Sequence, residues 1–279
     1  MARMSTRRKL AIASWSAPRE GNIYGKLTLD VSEALAYLEH VRATTGQKVT
    51  ITHLVGKAIG LALAESPGLN GRVVLGRFVP FETVDLAFLV VIEGGADLAK
   101  VKVRDIDKKS VAEIAEALRS GAERVRGGKD EEFENAKGLM RMLPTWLIRP
   151  LIYTTAFIAS GLGWSMKFAK VSKFPFGSAI LTNVGVFGLD EAFAPHTPWA
   201  RVPVLVLMGA IRDGVVARDG QPTVRPLLTI TSTIDHRFMD GAQGAVLARV
   251  MRRVFENPWS LDGLDGPPAA LPASEAEAG

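Results

Sequence analysis

At 279 residues the chain is long enough for one large domain or two small ones of roughly 150 residues each. Its 47% apolar and 23% charged composition is that of a globular protein. The absence of cysteine excludes disulfides, thiolate nucleophiles and Cys-ligated zinc or iron–sulfur centres. The 34 basic and 29 acidic residues leave a net +5, and the segment between Asn135 and Leu189, with six bases and no acid, carries more than all of it. Such a stretch suits a polyanion, a membrane surface or a phosphate-bearing cofactor.

In chain order, Ser5 to Leu10 resembles a twin-arginine export signal, but the apolar run ends at Trp15 and Pro18, Arg19 and Glu20 follow. Export is therefore not expected, and the lack of cysteine fits a cytoplasmic location. The spacing predicts a helix from Val31 to Thr44, capped by Asp30 or Ser32 and stopped by Gly46. A second helix, Thr52 to Glu65, is apolar nearly all round and so buried. Strands are predicted over Val73–Val79 and Val84–Ile92, a turn at Gly94-Gly95, and an amphipathic helix over Val111–Arg124 capped by Ser110. Pro144 and Pro150 flank a short apolar piece, Thr145–Arg149, and a second apolar helix reaching about Ala159 follows within an uncharged run of 17 residues, Pro150 to Met166. That is short of the ~20 apolar residues a spanning helix needs. Strands follow at Ser178–Thr182, Val202–Ile211 and Arg225–Ile234, the last two joined by an Asp219-Gly220 turn. A final helix, Ala242 to Glu256, stops at Asn257-Pro258, and residues 261–279 read as a disordered tail. The sum is one α/β domain with a mixed sheet.

The chemistry concentrates between Leu228 and Gly244, a strand, a polar loop and a helix, with His236 just past the strand, Asp240 at the helix start and Gly241 allowing close backbone approach. The four histidines, His40, His53, His196 and His236, lack the spacing of a helical metal pair, and no metal is expected. No G-x-S-x-G elbow supplies a hydrolase nucleophile.

The segment Asp235 to Ala242, ahead of a helix ending at Glu256-Asn257-Pro258, resembles the His-x-x-x-Asp-Gly motif of the dihydrolipoamide acyltransferases of 2-oxoacid dehydrogenase complexes, which chloramphenicol acetyltransferases share. Lys57 to Asn70, Ile106 to Ile114 and Leu181 to Gly188 resemble further segments of that family in the same order, so that the likeness covers about Arg7 to Trp259. It implies an α/β, chloramphenicol acetyltransferase-like two-layer fold with a mixed sheet. It also implies acyl transfer between coenzyme A, used as a substrate, and a thiol such as dihydrolipoamide. His236 is then the general base, Thr182 the hydroxyl facing the oxyanion, and Asp240 a supporting residue paired to Arg8 or Arg237. Asn183, Gly185 and Gly241 would shape the substrate site. The resemblance further implies a homotrimer with the site between subunits, with higher assembly and a separate lipoyl-bearing protein as candidate partners. A nucleic-acid partner is not expected.

Two departures stand out. The match begins near residue 7, which leaves no room for lipoyl or subunit-binding domains and points to a free-standing relative with no lipoyl group of its own. Residues 131–174 form a longer, more basic and more apolar connection than the family's. An amphipathic helical hairpin from Leu139 to Lys173 that meets anionic lipid competes there with a segment packed on the trimer or roofing the acyl pocket. A non-enzymatic trimeric scaffold is the alternative function.

Overall fold

The computed structural model describes residues 21–92, 97–128, 145–166, 171–196 and 199–268. Arg8, the Gly94-Gly95 turn, four of the six bases of the cationic segment (Lys137, Arg141, Lys167 and Lys170) and residues 269–279 lie outside them.

A six-stranded mixed sheet is built from β1 (Asn22–Asp30), β4 (Leu86–Ile92), β5 (Asp97–Val103), β6 (Ala179–Asn183), β7 (Val204–Arg218) and β8 (Gln221–Asp235), in the order β1-β8-β7-β6-β4-β5. The β4–β6 and β6–β7 pairs are parallel and the others antiparallel. Strand alternation sorts side chains by face. Leu86, Leu181, Val206, Ile230 and Ile234 join the main core with helices α1 (Ser32–Thr45), α2 (Ile51–Ala64) and α5 (Gly241–Glu256). Ala87, Ile180, Leu205 and Leu207 point the other way, into a smaller cluster with Ala200 and Val202. Helix α3 (Val111–Arg126) flanks α2 and β5, and its Ser110–Glu113 capping box is formed as the sequence predicts.

Several elements depart from the sequence expectation. The predicted single strand over Val73–Val79 is a two-stranded hairpin, β2 (Gly71–Val74) and β3 (Arg77–Pro80), turning at Leu75 and Gly76, both at positive φ. Strands β1 and β5 were not expected at all. One helix, α4 (Thr145–Ala156), runs through Pro150 where a break was expected, and a wider-wound turn continues it to Leu162. That turn is anchored to the hairpin: Arg72 Nε donates to Gly161 O at 3.0 Å and its guanidinium lies 4.5 Å from the Phe174 ring centroid. Arg201 sits similarly over Phe157, at 5.1 Å. Phe157 thus packs within the fold, while Tyr153 and Trp164 of the same segment are 41% and 65% exposed. Among the described residues no helix is long and apolar enough to cross a membrane.

The disordered tail does not begin at residue 261. Leu261 and Leu264 pack against the core, and Tyr37 donates its hydroxyl to Asp262 at 2.8 Å.

At the start of α2 the Thr50 N–H donates to His53 Nδ1 at 2.9 Å. His53 is buried, and burial pushes its pKa down from 6.5 to about 4. The folded state therefore holds it neutral while the unfolded chain takes a proton below pH 6.5. Stability present above that pH is lost as pH falls toward about 4, by up to ~3 kcal/mol. Replacing His53 with Gln, which keeps the cap acceptor without titrating, should flatten that part of the stability–pH curve in urea denaturation.

Candidate active site

Strand β8 ends where its register with β1 ends, at Asn22↔Asp235. The Asp235 N–H donates to Pro203 O at 2.9 Å, and the His236 N–H donates to Gly21 O. The reactive loop thus begins from a backbone held on both sides. Asp235 is buried and receives a forked pair of hydrogen bonds from Arg237, Nε to Oδ1 at 3.0 Å and Nη2 to Oδ2 at 2.5 Å. The buried ring of His196 lies near this pair, and its Nε2 has no hydrogen-bond partner. Burial lowers the His196 pKa, with Asp235 acting in the opposite direction.

The half-buried His236 ring bonds the Met239 carbonyl through Nδ1. A carbonyl only accepts, so Nδ1 carries the proton and the lone pair is left on Nε2. That tautomer presents a base.

Asp240 is the N-cap of α5. Its carboxylate accepts the Ala242 N–H at 2.9 Å, and Gln243 Oε1 accepts the Asp240 N–H, also at 2.9 Å. Of the two partners expected for Asp240, Arg237 commits its guanidinium to Asp235, and Arg8 is outside the described residues. Gly241 opens the helix with no atom within 4 Å of where its Cβ would stand, which keeps the surface beside the loop open.

Thr182 and Asn183 close β6. Thr182 shares the face of Ile180, away from the helices, and Asn183 Nδ2 donates to Thr52 Oγ1 at 3.1 Å, tying the strand end to α2. Gly185 is required by packing: a Cβ there would stand 2.4 Å from Gly209 O.

The structure does not bring Thr182 and His236 of one chain together. Thr182 is level with Leu207, and Leu207 with Thr231. His236 lies five residues beyond Thr231 and two strands away from β6, which puts the two side chains on the order of 20 Å apart at ordinary strand rise and spacing. Sequence reasoning named the titrating groups but missed the Met239 carbonyl, the Asp235–Arg237 fork and Thr52. Only Asp235 and Arg237 carried a signal, as neighbours of His236 in the motif. Among the described residues no cluster of three metal-ligating side chains occurs.

The family model for the 2-oxoacid dehydrogenases acyltransferase catalytic domain matches residues 4–139 and 169–262, so the match is interrupted within the connection that departs from the family pattern. The chain is 25% identical over 215 residues to the dihydrolipoyllysine-residue acetyltransferase component of the pyruvate dehydrogenase complex of Rhizobium meliloti, covering 77% of this chain and 38% of that protein. It spans about two fifths of the length of the curated relatives it matches. Among solved structures it is similar to the cubic core of a pyruvate dehydrogenase multienzyme complex, with TM-score 0.64 and 17% identity over 94% of this chain and 93% of that one. It is also similar to chloramphenicol acetyltransferase, with TM-score 0.51 and 16% identity over 90% and 96%. The two-layer fold expected from the sequence is therefore present.

The capping geometry makes a prediction for Asp240. Asp240→Ala should lose ~1 kcal/mol of stability, whereas Asp240→Asn, an equally good cap, should keep both stability and the pH–rate profile. Urea denaturation alongside steady-state kinetics checks this. A profile displaced in Asp240→Asn without loss of stability would instead show the carboxylate acting on His236 directly.

Proposed function

Because the chain belongs to the 2-oxoacid dehydrogenases acyltransferase (catalytic domain) family, we propose that it transfers an acyl group between the thiol of coenzyme A and a second thiol of the dihydrolipoamide class, with His236 as general base. The observation that carries this reading is the Nδ1–Met239 carbonyl bond, which leaves the lone pair on Nε2.

A free thiol has a pKa of about 8.5 and is only a few per cent thiolate near neutrality. His236 Nε2 takes the proton of the attacking thiol as its sulfur bonds to the thioester carbonyl carbon. The carbonyl oxygen gains the negative charge. When the tetrahedral intermediate collapses, the carbon–sulfur bond to the first thiol breaks and the imidazolium returns the proton to the departing sulfur. The same residue serves both directions, as a transfer between two thiols of similar acidity requires.

The intermediate's oxyanion needs a donor, and Thr182 is the hydroxyl for that role. With Thr182 and His236 so far apart in one chain, the reading requires Thr182 of a second copy to face His236. An apolar surface supports this association: Val186 and Phe187, directly after Asn183, are 63% and 58% exposed. A homotrimer gives each histidine one neighbouring hydroxyl. The membrane reading of the Leu139–Lys173 segment gains no support from this geometry.

Subunit mixing tests the arrangement. His236→Ala should lose about 10²–10⁴-fold in kcat and Thr182→Val about 10²–10³-fold. Co-expressed, the two inactive variants should regain a measurable fraction of wild-type rate, since mixed trimers contain interfaces with both residues intact. No recovery from a confirmed mixed oligomer would refute the arrangement. Full activity of His236→Ala would refute the base.

A further inference from the structure

Between the helical layer and the sheet lies a cavity of about 220 Å³. It follows from small residues set opposite one another in both layers. On the sheet, Gly25 of edge strand β1 pairs with Ser232 of β8, in the row that otherwise carries Ile230 and Ile234 into the core. On the helices, Ala62 of α2 and Gly244 and Ala248 of α5 face that gap. The walls are apolar apart from the Ser232 hydroxyl and Lys26, whose ammonium is held by Glu191. Gly25, Ser232, Gly244 and Ala248 are only half-buried, so the cavity opens between the edge strand and α5.

Met239, the residue whose carbonyl orients His236, is one of the residues that line the cavity. From there the space follows β1 and β8 away from the reactive loop, through the Ile23↔Ile234, Gly25↔Ser232 and Leu27↔Ile230 pairs. That course spans four residue steps, about 13 Å at ordinary strand rise. An apolar volume bordered by Met239 and by these strand pairs suits a flexible hydrocarbon chain and would leave a charged or bulky polar group unsolvated.

We propose that this cavity is the acyl-chain site, taking an unbranched aliphatic chain of about eight carbons, by proportion to a ~150 Å³ cavity that holds benzene. The inference rests on the acyl-transfer reading and deepens it: the donor is a medium-chain acyl thioester in preference to an acetyl one.

Two measurements test this. In the first, kcat/KM is compared for octanoyl-CoA and acetyl-CoA, in wild type and in Ala248→Phe, which fills the cavity from the helix side. Wild type should favour octanoyl-CoA, and the ratio should fall by about tenfold or more in the variant. Gly244→Leu is the second variant should Ala248→Phe not fold. A Cβ at Gly244 meets only Met239 side-chain atoms, at 3.6 Å and beyond. In the second, sodium octanoate is titrated calorimetrically into the full chain, where it should bind wild type and not the filled variant. Octanoate binding with no transfer from either thioester would overturn the acyltransferase reading and leave the site standing. Acetyl transfer with no preference for octanoyl-CoA and no octanoate binding would overturn the site, as would a filled variant that behaves like wild type in both measurements.

Discussion

The ladder between β7 and β8 determines where the histidine emerges. These 15-residue strands pair from Val204↔Ile234 to Arg218↔Gln221, with one irregularity between Met208 and Ile211. The first residues of β7, Val204 to Met208, lie between β6 and β8, so β8 reaches its end two strands from the hydroxyl-bearing strand. A hydrogen-bonded sheet has no soft mode that would bring Thr182 and His236 together in one chain. That rigidity is what makes a second subunit part of the proposed chemistry. Val186 and Phe187, four and five residues after Thr182, are exposed apolar side chains available to such an association.

What surrounds the histidine is a set of short, local constraints. Pro203 and Gly21 hold the backbone on either side of Asp235–His236, Arg237 folds back on Asp235, Met239 fixes the tautomer, and Asp240 closes the first turn of α5. Each bond is local in sequence or reaches only an adjacent strand or the segment leading into it. Together these bonds hold the base in place before a substrate arrives. Asp240 caps the helix that follows the loop.

The elements legible in the sequence were those whose signals are local. Helix α2 is apolar all round and α3 carries Ser110 and Glu113 at capping-box spacing. The Asp219-Gly220 turn sits between two long runs, and all three formed as expected. Strand β1 escaped notice because its apolar positions are interrupted by Gly25 and its partner lies some 200 residues away in β8. The Leu75-Gly76 turn was hidden because leucine is an unusual occupant of a positive-φ position. Pro150 misled in the opposite direction: an internal proline disfavours a helix by ~3 kcal/mol, yet here the helix runs on into a turn packed under Arg72. At the site, His236 and Asp240 were visible because the motif names side chains. The Met239 carbonyl was not, since a backbone acceptor has no residue signature, and the separation of Thr182 from His236 exists only once the strand order is known.

The same reasoning applies to the gap under α5. Gly25 reads locally as a weak point in a strand, Ser232 as a polar residue in an apolar row, and Gly244 as a poor helix former. A Cβ at Gly25 would stand 2.7 Å from Ser232 Oγ, so these two residues are matched to each other. Strand pairing puts Gly25 and Ser232 side by side, and helix packing sets Gly244 above the same volume. Three separate departures from good packing that converge on one space, bordered by the residue that orients the base, are more economically explained as one feature than as three defects. A sequence optimised only for stability would place larger apolar side chains at these positions and close the space. Small residues on both sides of it point to a function for the opening that outweighs the packing it forgoes.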